Sequence, residues 1–206
     1  MVRRIILTII VAFCLVAGAS ARADEISATH VVEALHASLL EMMKNADALG
    51  FDGRSAHIAP VVLRSFDLPI IAVMATGEKN WQTLSEAQKE QLVGALERLS
   101  VATYASRFNG YSGEDFRTLS EDPGDQGTAY VSTELIQGDG GTILLKYLLH
   151  PSDKGWRIVD VIFLGVYSEL AMRRSEYGAV FQREGFDGLL AALDQKAADY
   201  AAGLLK

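Results

Sequence analysis

Between residues 114 and 164 the chain adopts a two-residue rhythm and repeats it four times, which narrows the possible folds more than any other feature. Segments 114–119, 128–136, 142–149 and 155–164 alternate as strands with two distinct faces do. Between them lie Asp122-Pro123-Gly124-Asp125, Gly138-Asp139-Gly140-Gly141 and Pro151-Ser152-Asp153-Lys154-Gly155. Short loops rich in glycine are hairpin signals, so the four strands are expected to form an antiparallel meander. The third strand is apolar in both registers: Ile143, Leu145, Tyr147 and Leu149 share one face, while Leu144 and Leu148 flank Lys146 on the other. A sheet covered by helices on one side, and curved or partly covered on the other, accounts for this.

The flanking segments read as helices. Ala28, Val32, Leu35, Leu39, Met42 or Met43, and Ala46 repeat at helical spacing, with a stop expected near Gly50. Residues 51–80 are punctuated by Gly53, Pro60, Pro69 and Gly77, which predicts short helices and turns. A longer helix begins near Leu84, where Ser85 and Gln88 form a capping-box pattern, and its stripe runs through Leu92, Leu96, Leu99 and Thr103. After the strands, Leu170, Arg173, Arg174, Tyr177 and Phe181 mark another helix, which Gly185 ends. A final helix carries Phe186, Leu189, Leu190, Leu193, Ala197, Tyr200 and Leu204. Helices before and after a meander define an α+β fold.

The first 23 residues form a separate unit. Arg3 and Arg4 precede an apolar run over residues 5–17, and Ala21-Arg22-Ala23 offers an A-x-A cleavage site before Asp24. This is the pattern of a secretory signal peptide, and the run is shorter than the roughly 20 residues a spanning helix needs. Cys14, the only cysteine, lies inside it, so the processed chain has no disulfide, cysteine nucleophile or thiolate metal site. Removing its three arginines leaves 16 basic against 26 acidic residues. Such an acidic balance disfavours nucleic acid as a partner.

Chemistry-bearing motifs are sparse. His30, His36, His57 and His150 lie without a second ligand at metal-site spacing, so neither metal nor cofactor is expected. No glycine-bracketed nucleophile is present. Asp160 sits mid-strand among apolar neighbours, either as an acid or base in a pocket or as a carboxylate paired with Arg157, Arg173 or Arg174. Arg173 and Arg174, beside Glu176, suit either a lipid phosphate or a local ion-pair cluster.

Several runs together carry a family likeness: Tyr147, Trp156-Arg157-Ile158-Val159-Asp160-Val161, Gly165-Val166, Arg174-Ser175-Glu176-Tyr177 and Gly185-Phe186-Asp187-Gly188-Leu189. With Phe108-Asn109-Gly110-Tyr111-Ser112-Gly113 upstream, the chain resembles the MlaC-type periplasmic lipid-binding proteins, also described as toluene-tolerance proteins. Tyr104-Ala105-Ser106-Arg107-Phe108 and Ser168-Glu169-Leu170-Ala171-Met172 look closer to the HpnM branch, associated with hopanoid biosynthesis.

The resemblance implies an NTF2-like, cystatin-like curved four-stranded meander packed with N- and C-terminal helices. It also implies a non-enzymatic periplasmic shuttle that carries phospholipid or hopanoid in an elongated apolar cavity. Such a protein is expected to be a monomer that docks transiently on inner- and outer-membrane lipid-transport complexes. The expected organisation is a signal peptide over 1–23 and one lipid-binding domain over 24–206. Within that domain, 24–112 are mostly helical, 113–167 form the sheet and 168–206 the C-terminal helices. Candidate cavity residues are Leu63, Phe66, Leu68 and Met74 from the broken helical region, and Tyr104 and Phe108 from the long helix. The sheet and the loop after it offer Tyr130, Leu145, Tyr147, Val161, Phe163 and Val166. Both Tyr130 and Leu145 are included because a one-residue register change reverses every side chain. Arg173 and Arg174 are the headgroup candidates. The alternatives are an NTF2-like enzyme using Asp160 or a tyrosine in the same cavity on an apolar substrate, and a scaffold for membrane biogenesis whose interior is fully packed.

Overall fold

The computed structural model describes residues 27–205; the signal-peptide segment lies outside the described residues. Helix α1 (Ala28–Lys44) opens on Ser27, whose side chain accepts from the His30 amide. It buries Val32, Leu35, His36, Leu39 and Met42 along one stripe. It stops at Lys44, six residues before Gly50, where the Asn45 amide N–H turns back to the carbonyls of Met42 and Met43. Helix α2 (Ala46–Ser65) follows, and Gly50 breaks its first turn at φ 59° and ψ −174°.

Of residues 51–80, expected as short helices and turns, 51–65 are instead continuous helix through Pro60. Pro60 and Ala56 both face solvent, so the Ala56 carbonyl that proline leaves without an amide partner is open to water. Helix α3 (Leu68–Thr76) is capped by Asp67 and carries Pro69 in its first turn. Helix α4 (Glu78–Trp81) is a single turn, and α5 (Glu86–Arg107) starts on the anticipated Ser85–Gln88 capping box.

The meander is β1 (Asp115–Pro123), β2 (Ala129–Ile136), β3 (Thr142–Ser152) and β4 (Gly155–Phe163), antiparallel and in chain order. A two-residue strand, β5 (Tyr167–Ser168), adds a short fifth member beside Ile162 and Phe163. Strand β3 runs through Pro151 to Ser152, so the last hairpin is tighter than the loop read from the sequence. The register aligns Thr133, Leu145 and Phe163 in one row, Val131, Tyr147 and Val161 in the next, and Ala129, Leu149 and Ile158 in a third. Apart from the partly exposed Phe163, these rows are buried, so this face looks into the core.

Helix α6 (Glu169–Ala201) is in effect two helices. Gly185 sits at φ 70° and ψ −163°, a region open essentially to glycine. Lys196 Nζ lies 2.9 Å from Glu176 Oε1, although 20 residues of straight helix would separate them by about 30 Å. The chain therefore folds back at Gly185, as its helix-stop signal predicted. Helix α1 covers β1, β2 and β4, whereas α5 packs chiefly on α2, α3 and α6 rather than on the strands.

Candidate functional site

Because α5 packs on helices, its last turns and the inner face of the sheet leave a recess between them. Thr103, Tyr104, Arg107 and Phe108 fall on one side of α5, being separated by one- and four-residue steps. Opposite them are Leu135, Leu145, Tyr147, Val161 and Phe163, with Glu169 at the start of α6. The cavity they line measures about 220 Å³ and is mostly apolar. That volume is small for the elongated lipid cavity expected. Aromatic rings occupy the space beside it: Phe66 against Tyr104 at 5.7 Å, Tyr104 stacked on Phe108 at 5.8 Å, and Phe116 stacked on His36 at 3.9 Å.

The histidine and tyrosines at the cavity stay neutral. His36 Nε2 lies 2.9 Å from Tyr147 Oη, and burial lowers the histidine pKa to about 3. Burial likewise pushes the Tyr104 and Tyr147 phenols well above their ordinary range. Both tyrosines are therefore uncharged at any ordinary pH, and each shows an apolar ring to the cavity.

A polar crevice of about 190 Å³ adjoins the cavity and shares Thr103, Arg107 and Glu169 with it. Arg173, Glu176, Tyr177, Lys196 and Tyr200 contribute the rest of its polar lining. Arg173 Nη2 meets Glu169 Oε1 at 2.9 Å. Burial works against the guanidinium charge, but the Glu169 carboxylate with the Tyr177 and Tyr104 oxygens holds its pKa above the ordinary value. Tyr177 is raised to about 12, again chiefly by burial.

Asp160 pairs with none of the arginines considered from sequence. Its Oδ2 accepts from Ser168 Oγ at 2.6 Å and its Oδ1 from the Leu170 amide at 2.9 Å. Both oxygens thus hold the start of α6, which explains a carboxylate buried on β4.

The structure brings Tyr104, Phe108, Leu145, Tyr147, Val161 and Phe163 around the cavity. Phe66 stands one layer behind, against Tyr104. The other candidates do not line it. Leu68 is buried among the helices, and Leu63 borders an open apolar groove of about 400 Å³ between α2, α5 and the second arm of α6. That groove is the larger recess, but it faces solvent and would leave an apolar guest wet. Met74 is exposed on α3, and Val166 is 72% exposed on the loop after Phe163. Tyr130 lies on the outer sheet face, with Lys146 Nζ 4.2 Å from its ring centre; the Leu145 register is the inward one. Arg173 is engaged by Glu169, and Arg174 points to solvent. Thr103, Arg107, Leu135 and Glu169 are lining residues that the sequence reading passed over. Leu135 continues the Val131–Thr133 alternation and Thr103 the Leu92–Leu99 stripe, so both were legible; Arg107 and Glu169 had no apolar periodicity to reveal them.

No group of histidine, cysteine and acidic residues among the described residues is arranged to hold a metal ion. Comparison with curated protein sequences returns no match. Among solved structures, the chain superposes on a phospholipid-binding protein from Ralstonia solanacearum, determined at 1.53 Å in complex with a phospholipid. The TM-score is 0.74 at 19% identity, covering 85% of this chain and 99% of that one. The family model described as MlaC protein matches residues 33–195. The chain therefore belongs to the MlaC family.

Proposed function

We propose that this protein is a periplasmic lipid carrier that shelters hydrocarbon tail in the cavity between α5 and the sheet. The observation that carries this reading is the mostly apolar pocket lined by Tyr104, Phe108, Leu145, Tyr147, Val161 and Phe163. The family and the phospholipid held by the Ralstonia solanacearum protein support it. Each CH₂ moved out of water contributes roughly 0.8 kcal/mol, so a tail gains many-fold in affinity from a few buried carbons. A lipid crossing an aqueous gap needs such a container, and no covalent step is required of the protein.

The cavity volume of about 220 Å³ lies below the roughly 300–1,000 Å³ typical of small-molecule pockets. It suits part of one tail. A two-tailed lipid enters by parting the Tyr104–Phe108 stack from the strand face opposite. The signal-peptide pattern at residues 1–23 supports export, and shuttling between inner- and outer-membrane complexes is the role such a carrier fits.

Purification from the native host, followed by solvent extraction and mass spectrometry, tests the reading. Phospholipid is the expected guest, and a hopanoid would assign the chain to the triterpenoid alternative. Repeated recovery of no lipid, together with no uptake from liposomes, would overturn the proposal.

A further inference from the structure

The polar crevice contains one positive charge more than its own side chains neutralise. Its cations are Arg107, Arg173 and Lys196, and its anions are Glu169 and Glu176. Arg173 is taken by Glu169 at 2.9 Å, and Lys196 by both oxygens of Glu176 at 2.9 and 3.0 Å. Arg107 has no carboxylate within 4.0 Å among the described residues. Its one side-chain contact is a long hydrogen bond, 3.4 Å, donated from Nη2 to Tyr200 Oη. Most of the five N–H donors of a guanidinium are therefore unspent there. Arg107 also lines the apolar cavity, and no other cation does.

We propose that Arg107 is the seat of a singly charged phosphodiester whose tail lies in the adjoining apolar cavity. This rests on the lipid reading above and adds to it the side chain that holds the headgroup. The charge left over in the crevice is one, which matches a phosphodiester rather than a neutral polar end. The planar fork of arginine presents two parallel N–H groups to two phosphate oxygens. Arg107 is exposed, so the phosphate keeps part of its hydration and the contact acts more on selectivity than on total affinity. Arg173 is less suited because recruiting it would strand the Glu169 carboxylate beside the cavity. Arg174 lines neither recess. The competing role for Arg107 is a structural one, since a cation in the last turn of α5 complements that helix end.

The test compares phosphatidylglycerol with diacylglycerol of identical tails, each carrying a fluorescent acyl group, against the full processed chain. The wild type is expected to prefer phosphatidylglycerol, and Arg107→Gln to reduce that preference about five- to tenfold. Arg107→Lys keeps the charge and retains part of the preference. Tail-less glycerophosphoglycerol is expected not to compete, which separates a lipid headgroup from a free phosphate ester. A wild-type preference that survives in a folded Arg107→Gln protein would overturn the assignment, as would equal binding of the two lipids. Competition by the tail-less ester at matched concentration would overturn its lipid form. Binding of neither lipid would fell the carrier reading and this inference with it.

Discussion

His36 and Tyr147 meet at 2.9 Å, Nε2 to Oη, joining α1 to β3 beneath the cavity. The contact gives each buried polar group a partner, and leaves the tyrosine ring free to line the pocket. The imidazole lies flat on Phe116, with ring centres 3.9 Å apart and planes 11° from parallel. Burial away from water is what disfavours a second proton on this histidine.

This gives the stability a pH dependence of defined sign. The His36 pKa is about 3 in the folded chain, against 6.5 ordinarily. The unfolded chain binds the extra proton as pH falls below 6.5, and the folded one does not until about 3. The contribution is complete above pH 6.5 and drains away between those values. Between pH 7.5 and 5 the loss amounts to about 2 kcal/mol. Urea melts of wild type and His36→Phe at the two pH values check this: the variant, still able to stack on Phe116, loses about that much less.

The Glu169–Arg173 pair predicts asymmetric mutational costs. Glu169 borders the apolar cavity and the polar crevice alike, and its side chain is 19% exposed. Arg173→Met strands that carboxylate and is expected to cost about 2–3 kcal/mol, less than a fully buried pair because water still reaches it. The double variant Glu169→Gln with Arg173→Met removes the stranded charge, and recovers most of the loss in the same denaturation assay.

Asp160 separates a structural role from a catalytic one. Its two oxygens hold Ser168 and the Leu170 amide, so Asp160→Ala is expected to destabilise the fold by about 1–3 kcal/mol. Lipid uptake per folded molecule should persist. An acid–base role predicts the reverse pattern, a stable protein that has lost turnover.

What could be read from the sequence was whatever depended on local spacing. The Gly138-Asp139-Gly140-Gly141 hairpin, the Ser85–Gln88 capping box and the Gly185 reversal each need only a few neighbouring residues. Pro60 misled because a helix tolerates proline where the freed carbonyl faces water, and exposure is a tertiary fact. Strand β5 is two residues long and has no periodicity of its own. On the candidate site, Leu145 and Tyr130 stood as equals because both registers of β3 are apolar. Coverage of the sheet by α1 chose between them. Leu63, Met74 and Val166 were equally apolar by sequence but end up on other surfaces. Arg107 and Glu169 border the cavity because two helix ends converge there, a proximity that 61 intervening residues conceal.

Filling the cavity should impair the carrier without harming the fold. Val161 lies on its floor, opposite Tyr147. Val161→Phe places extra carbon where a tail would lie, and lipid uptake from liposomes is expected to fall at least about tenfold, equivalent to losing two buried CH₂ groups. The thermal midpoint should hold or rise, as cavity-filling changes commonly stabilise by about 0.5–2 kcal/mol.

The most direct test is photocrosslinking with p-benzoylphenylalanine in place of Phe163, inside the cavity, and in place of Tyr130, on the outer face of the same sheet. The account predicts that irradiation with bound lipid attaches acyl carbon to the residue at 163 and leaves the residue at 130 unmodified. Equal labelling at both positions, or labelling at 130 alone, would contradict it.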